Sequence, residues 1–170
     1  MSKTLYVMRH GKSSWDDEEQ PDVERPLAPR GERAARRIAA YLANAEPRPA
    51  LVLCSSATRA VQTYEAIASR LEGSPTVQIE ERLYAASAEE LLDRLRELPE
   101  KVKAVLLIGH NPGLQDLLVE LCGEGDLREQ LIEGFPTGAL ATVRVRRSWA
   151  ELGASTSTVK DMLLPRSMVP

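Results

Sequence analysis

The feature that most narrows what this chain can fold into is a repeated alternation of short apolar runs with stretches of helical spacing. Thr4 to Met8 is the first run, and Gly31 to Ala45 follows it with Ala35, Ile38, Ala39 and Leu42 on one helical face. Leu51-Val52-Leu53-Cys54 is the second, and from about Thr58 a helix places Val61, Tyr64, Ala68 and Leu71 at recurring positions. The third run, Thr76 to Ile79, is β-branched and alternating; Ser87-Ala88-Glu89-Glu90 then has capping-box form ahead of Leu91, Leu92, Leu95 and Leu98. In the fourth, Val105-Leu106-Leu107-Ile108 precedes Asn111-Pro112, which opens a helix carrying Leu114, Leu117, Leu118 and Leu121. Strands apolar on both faces must be covered on both. The pattern therefore predicts an α/β fold, a three-layer α/β/α sandwich around a mainly parallel central sheet.

Beyond Gly134 to Gly138, Ala139 to Val145 reads as a further strand, with Val143 and Val145 alternating against Arg144 and Arg146. From Trp149 to Pro165 the pattern is too irregular to assign an element. A length of 170 residues fits one domain spanning 1–170. The net charge is −3, with arginines scattered among acids, so no basic stripe exists for a nucleic-acid partner. Thr4 to Met8 is too short for a secretion signal and no later run approaches a membrane span, so a cytoplasmic protein without membrane contact is expected. Cys54 and Cys122 lack C-x-x-C or other metal spacing; no disulfide and no metal site are expected.

In parallel sheets ligands bind outside the carboxyl ends of the strands, and the chemistry-bearing residues fall there. The chain holds two histidines, His10 and His110, each directly after a predicted strand. Arg9 precedes the first, and Arg59 opens the helix after the second strand. Two imidazoles and two guanidiniums beside helix N-termini suit a phosphoryl group, because arginine binds its oxygens bidentately and N-terminal amides favour anions. A nucleophilic histidine must be neutral, and neighbouring cations disfavour imidazolium, so Arg9 and Arg59 would prepare His10 as well as bind substrate. Lys12 and Ser13, in the turn after His10, are secondary phosphate-binding candidates.

Other readings fit less well. Gly11-Lys12-Ser13 looks like the end of a P-loop, but that motif needs glycine where Tyr6 stands. No G-x-S-x-G elbow accompanies Ser13 or Ser14. Two histidines without a fixed carboxylate fall short of a three-ligand catalytic metal site. The polar stretch Asp16 to Arg30 is too long for an ordinary connection and reads as a rim to the site. Arg33, Arg36 and Arg37 read as a solvated helix face.

Arg9-His10-Gly11, Arg59 and Gly109-His110-Asn111 together resemble the histidine phosphatase superfamily. The longer segments Arg9 to Trp15, Glu24-Arg25-Pro26-Leu27 with Arg30-Gly31, and Gly109 to Gly113 resemble its short SixA-type phosphohistidine phosphatases. The resemblance implies a phosphoglycerate mutase-like fold and a phosphohistidine intermediate on His10. It further implies that Arg9, Arg59 and His110 clamp the phosphoryl oxygens, and that water completes hydrolysis without metal or cofactor. Glu81-Arg82-Leu83-Tyr84 resembles the Glu-Arg-x-Tyr segment that carries the general acid in related phosphoglycerate mutases, which makes Glu81 the first candidate acid. Asp16 and Asp17 compete with it, since Ala85-Ala86-Ser87 replaces the Gly and helical insertion usual there. The expected substrate is a phosphorylated protein of histidine phosphotransfer type, because the chain lacks the inserted lid of larger relatives. A small phosphorylated metabolite, or a phosphoprotein-binding module without turnover, are the alternatives.

Overall fold

Alternation within each apolar run sends successive side chains to opposite faces of one sheet. In the computed structural model, which describes residues 2–167, six strands form it: β1 (Lys3–Arg9), β2 (Leu51–Ser55), β3 (Thr76–Glu80), β4 (Ala104–Gly109), β5 (Leu140–Val145) and β6 (Ser157–Leu163). Their order is β3-β2-β4-β1-β5-β6. The four strands at the β3 end pair in parallel, while β5 runs antiparallel to β1 and β6 antiparallel to β5. The sheet is therefore mixed but mostly parallel, as expected.

Helices α1 (Pro29–Leu42) and α2 (Thr58–Ala68) cover one face, and α3 (Ala88–Arg96), α4 (Gly113–Leu121) and α5 (Asp126–Glu133) the other. Tyr6, Met8, Val52 and Leu106 pack with Ile38 and Leu42 of α1 and Ile67 of α2. Their sequence neighbours Leu5, Val7, Leu53 and Leu107 pack with Leu91 and Leu95 of α3 and Leu114 and Leu118 of α4. Fully burying each such side chain stabilises the fold by roughly 1.5–3 kcal/mol, which is why the middle positions of the central strands are apolar. The capping box at α3 forms: Ser87 Oγ accepts from Glu90 N–H, and Glu90 accepts from Ser87 N–H.

Four differences from the sequence reading have physical causes. The inward stripe of α2 is Arg59, Ala60, Thr63 and Ile67, with Val61 and Tyr64 only half-buried, because the helix is turned to bring Arg59 and Thr63 to the sheet edge. Helix α5 was not anticipated: of its eight residues only Leu131 is buried, so its apolar stripe is too thin to read. Strand β6 was not anticipated either, because Lys160 and Asp161 interrupt it, as an edge strand allows. Asn111-Pro112 precedes α4 rather than entering it: the helix begins at Gly113.

Strands β1 and β4 are neighbours and β2 lies beyond β4, so the chain leaves β1 through α1 and returns two places away. The carboxyl ends of β1, β2 and β4 consequently share one edge, where Arg9 and His10, Ser55, and Gly109 and His110 emerge.

Candidate active site

The turn after β1 fixes the ring of His10. Its Nδ1 lies 2.7 Å from the Gly11 carbonyl oxygen. A carbonyl can only accept, so Nδ1 carries the proton and Nε2 of the neutral ring holds the lone pair. Arg59 Nε donates to that Nε2 at 3.4 Å, consistent with the same tautomer. Gly11 N–H donates to Thr63 Oγ1 at 3.0 Å, and Thr63 donates to the Arg59 carbonyl at 2.7 Å, so one threonine joins the His10 turn to the helix bearing Arg59. Backbone contact fixes the other side. A Cβ on Gly11 would stand 2.7 Å from the Gly31 carbonyl oxygen, and a Cβ on Gly31 would stand 2.2 Å from that of Lys12. Only glycine fits either position.

His110 is held from β2. Its Nε2 lies 2.7 Å from Ser55 Oγ, which also accepts from Ala57 N–H at 3.2 Å. Ser55 is fully buried, so its own proton needs an acceptor, and His110 Nε2 is the one at hand. His110 Nδ1–H is then a donor, and it is buried without a protein partner among the described residues. The His10 and His110 rings lie 5.0 Å apart, and Tyr84 meets His110 edge-on at 5.5 Å.

Arg9 Nη1 donates to the Phe135 carbonyl at 3.2 Å, and Asn111 Nδ2 donates to the same oxygen at 2.9 Å. Arg9 Nε, like His110 Nδ1, is buried and has no partner among the described residues. Arg59 has partners: its guanidinium donates to the Asp22 backbone oxygen at 2.7 Å and to Asp22 Oδ2 at 3.0 Å. Tyr84 O–H also donates to Asp22 Oδ2, and Arg25 Nε to Oδ1 at 3.2 Å.

Electrostatics follow from burial. His10, Arg59 and His110 are only 6%, 7% and 8% exposed. Loss of water, followed by the charges of Arg59, Arg9 and Arg25, lowers the His10 pKa to about 4, although the Gly11 hydrogen bond pulls the other way. Burial, then His10 and Arg59, lowers His110 to about 3. Burial first, then Arg59, lowers Arg9. Asp22 is brought to about 2, chiefly by the Tyr84 hydrogen bond and then by Arg59. Both rings are neutral and Asp22 is ionised at neutral pH.

The structure thus gathers Arg9, His10, Arg59 and His110. It treats the remaining candidates differently. Ser13 is buried and bridges to Leu27, with Ser14 N–H donating to the Pro26 carbonyl and Ala28 N–H to that of Lys12. These bonds close the 12–28 stretch on itself, and Asp22 within it reaches Arg59. Lys12, Asp16 and Asp17 are exposed. Glu81 is exposed in a one-turn helix, Glu81–Leu83, and makes no side-chain hydrogen bond among the described residues; the same turn delivers Tyr84. Residues that sequence reasoning missed are Asp22, Tyr84, Ser55 and Thr63. Ser55 and Thr63 flank Arg59, one before and one a helical turn after, which is the signal that could have found them. Among the described residues no group of three or more His, Cys, Asp or Glu is set to hold a metal ion.

The chain belongs to the histidine phosphatase superfamily, branch 1, whose family model matches residues 5–107. It is 33% identical over 163 residues to an uncharacterized protein of Mycobacterium tuberculosis, covering 94% of this chain and all of that one. Among solved structures it is similar to a proposed phosphohistidine phosphatase SixA from Nakamurella multipartitia, with a TM-score of 0.86, 27% identity and 97% of each chain covered. It is also similar to the protein histidine phosphatase SixA complexed with tungstate, with a TM-score of 0.77, 27% identity, and 96% and 97% covered. Membership in this superfamily supports a phosphatase hydrolase, and the likeness to SixA structures carries the phosphoglycerate mutase-like fold. No helix among the described residues is long and apolar enough to cross a membrane.

Proposed function

We propose that the protein hydrolyses phosphohistidine on a protein substrate, through a phosphoryl group carried transiently on His10. The observation that carries this reading is the pairing of a neutral His10, whose Nε2 lone pair accepts only a long 3.4 Å hydrogen bond from Arg59, with buried donors on Arg9 and His110 that lack a protein acceptor among the described residues. A phosphoryl group brings several acceptor oxygens and negative charge to such donors. Tungstate, which the SixA structure binds, is an oxyanion of the same shape and supports the match.

Catalysis follows from the arrangement. His10 Nε2 attacks phosphorus, a new N–P bond forms, and the bond to the leaving imidazole nitrogen breaks with the electron pair going to that nitrogen, which takes up a proton. Arg9, Arg59 and His110 Nδ1–H hold the equatorial oxygens as charge shifts among them. Water then attacks the phosphorus, the P–Nε2 bond breaks with its electron pair returning to His10 Nε2, and a proton of the water passes to solvent, leaving inorganic phosphate and neutral His10. The depressed His10 pKa keeps the lone pair available through neutral pH.

A protein substrate is supported by the rim. Trp15 is 65% exposed, with the Arg25 guanidinium stacked 3.5 Å from its ring centroid, so an apolar surface stands beside the site. Turnover of a phosphohistidine-bearing protein should exceed that of a panel of phosphomonoesters, and labelled phosphate should be trapped on His10. Faster turnover of a monoester would overturn the substrate, and undiminished hydrolysis of an aryl phosphate by His10→Ala would overturn the mechanism.

A further inference from the structure

Beside the phosphate clamp, on the same edge of the sheet, lies a second cavity of about 370 Å³. Among the described residues its wall carries four cations, Lys12, Arg30, Arg37 and Arg166, and no carboxylate; small groups such as Ala34 and Pro165 complete it. Four other surface cavities each include at least one glutamate or aspartate. None of the four cations forms an ion pair among the described residues.

The arginines of α1 separate by their surroundings. Arg36 pairs with Glu32 at 2.6 Å and Arg33 is exposed, whereas Arg37 is half-buried at the cavity wall. The solvated face expected from sequence therefore describes only the first two. Lys12, Arg30 and Arg166 are exposed and solvent screens part of their mutual repulsion; an anion seated among the four relieves the rest. Guanidinium forks match phosphate oxygens in pairs, and the volume falls within the usual range of small-molecule sites, roughly 300–1,000 Å³.

The cavity shares its backbone with the nucleophile turn. Lys12 lies two residues beyond His10, and Thr137, also on the wall, lies two beyond Phe135, whose carbonyl holds Arg9. Gly138, at φ +78°, donates to the Arg9 and His10 carbonyls at 3.1 and 2.9 Å. A Cβ there would stand 3.0 Å from Pro165 Cγ, so the turn Pro165–Ser167 that carries Arg166 packs directly on the segment that fixes His10.

We infer that this cavity binds a second phosphate-type oxyanion, distinct from the phosphoryl group at His10. Its source is either a second phosphate of the molecule being dephosphorylated or a separate small phosphorylated effector. The inference stands whether or not phosphohistidine is the substrate.

The probe is inorganic pyrophosphate, titrated calorimetrically into Arg59→Ala protein, in which the clamp is crippled, and into Arg59→Ala protein also carrying Arg37→Gln and Arg166→Gln. One pyrophosphate should bind the first, and affinity should fall at least tenfold in the second. Equal affinity, or no binding to the first, overturns the inference. If the triple variant fails to fold, Arg166→Gln alone, at an exposed position, should still weaken binding severalfold, and an unchanged affinity there overturns it. Kinetics on protein with intact Arg59 identifies the source. Loss of kcat/KM for an alkanediol bisphosphate but not p-nitrophenyl phosphate in Arg37→Gln/Arg166→Gln supports a second substrate phosphate. Pyrophosphate-dependent turnover of p-nitrophenyl phosphate that disappears in the same variant supports an effector. Failure of the phosphatase reading would show separately, as absent p-nitrophenyl phosphate turnover with pyrophosphate binding intact.

Discussion

Asp22 Oδ2 lies 3.0 Å from the Arg59 guanidinium, so the cation proposed to grip the substrate phosphate is already neutralised by a carboxylate of the protein. A phosphoryl dianion and an ionised carboxylate repel each other on one guanidinium, so an incoming oxyanion must displace Asp22 or share its charge partner at a cost. Asp22→Asn should therefore bind tungstate more tightly than the parent, by roughly threefold to tenfold, given about 1 kcal/mol for the competing contact. Competitive inhibition by tungstate measures this directly, and weaker inhibition in the variant would show that Asp22 aids oxyanion binding instead.

Arg59→Lys should not restore what Arg59→Ala loses. The guanidinium divides itself among His10 Nε2, the Asp22 carbonyl and the Asp22 carboxylate, a spread that one ammonium cannot cover. Each lost charge-assisted bond weakens transition-state binding by roughly 1.5–3 kcal/mol, or about 10- to 100-fold in kcat/KM. Aryl phosphate hydrolysis by both variants checks it, and near-parental activity in Arg59→Lys would refute the shared-contact account.

Ser55→Ala tests the tautomer assigned to His110. Without the hydroxyl, Nε2 loses its donor and the proton no longer has to reside on Nδ1, so kcat should fall about tenfold with little change in stability beyond about 1–2 kcal/mol. Ser55→Thr, which keeps the hydroxyl, should recover part of kcat if it folds. Nitrogen-resolved NMR of His110 should show a mixed tautomer in the alanine variant; an unchanged spectrum would mean that something other than Ser55 sets the proton.

Acid stability should carry the signature of both rings. Unfolded histidine takes a proton near pH 6.5, whereas His10 and His110 stay neutral to about 4 and about 3 in the fold. Between those values the unfolded chain binds more protons, so stability is intact above about pH 6.5 and falls as pH drops toward 4 and below. The loss should be roughly 2.5 kcal/mol per ring by pH 4.5, and His10→Asn should lose less than the parent in urea titrations over that window. Parallel losses in the two proteins would place the acid sensitivity elsewhere.

What could be read from the sequence was what repeats. The four apolar runs found their strands, and Ser87 to Glu90 its cap, because pattern and local chemistry agree there. Arg9, His10 and His110 were legible because each sits at the carboxyl end of a strand, and Arg59 because it opens the helix that follows one, where topology makes neighbours of residues far apart in sequence. Asp22 and Tyr84 were not, because what matters in them is a contact across 62 positions between two irregular segments. Glu81 drew attention through its segment, but in that one-turn helix it faces solvent while Tyr84 reaches Asp22. Strand β6 escaped notice because an edge strand with one uncovered side can afford lysine and aspartate, which erases its periodicity.

The Phe135 carbonyl receives both Arg9 and Asn111. One oxygen on a connecting segment therefore ties the end of β1 to the entry of α4. Changes of length or sequence between α4 and β5 would swing that oxygen and reach the geometry of the candidate site through the main chain, with Arg9, His10, Arg59 and His110 themselves unaltered. Relatives that diverge in this stretch would then differ in rate while presenting identical active-site residues.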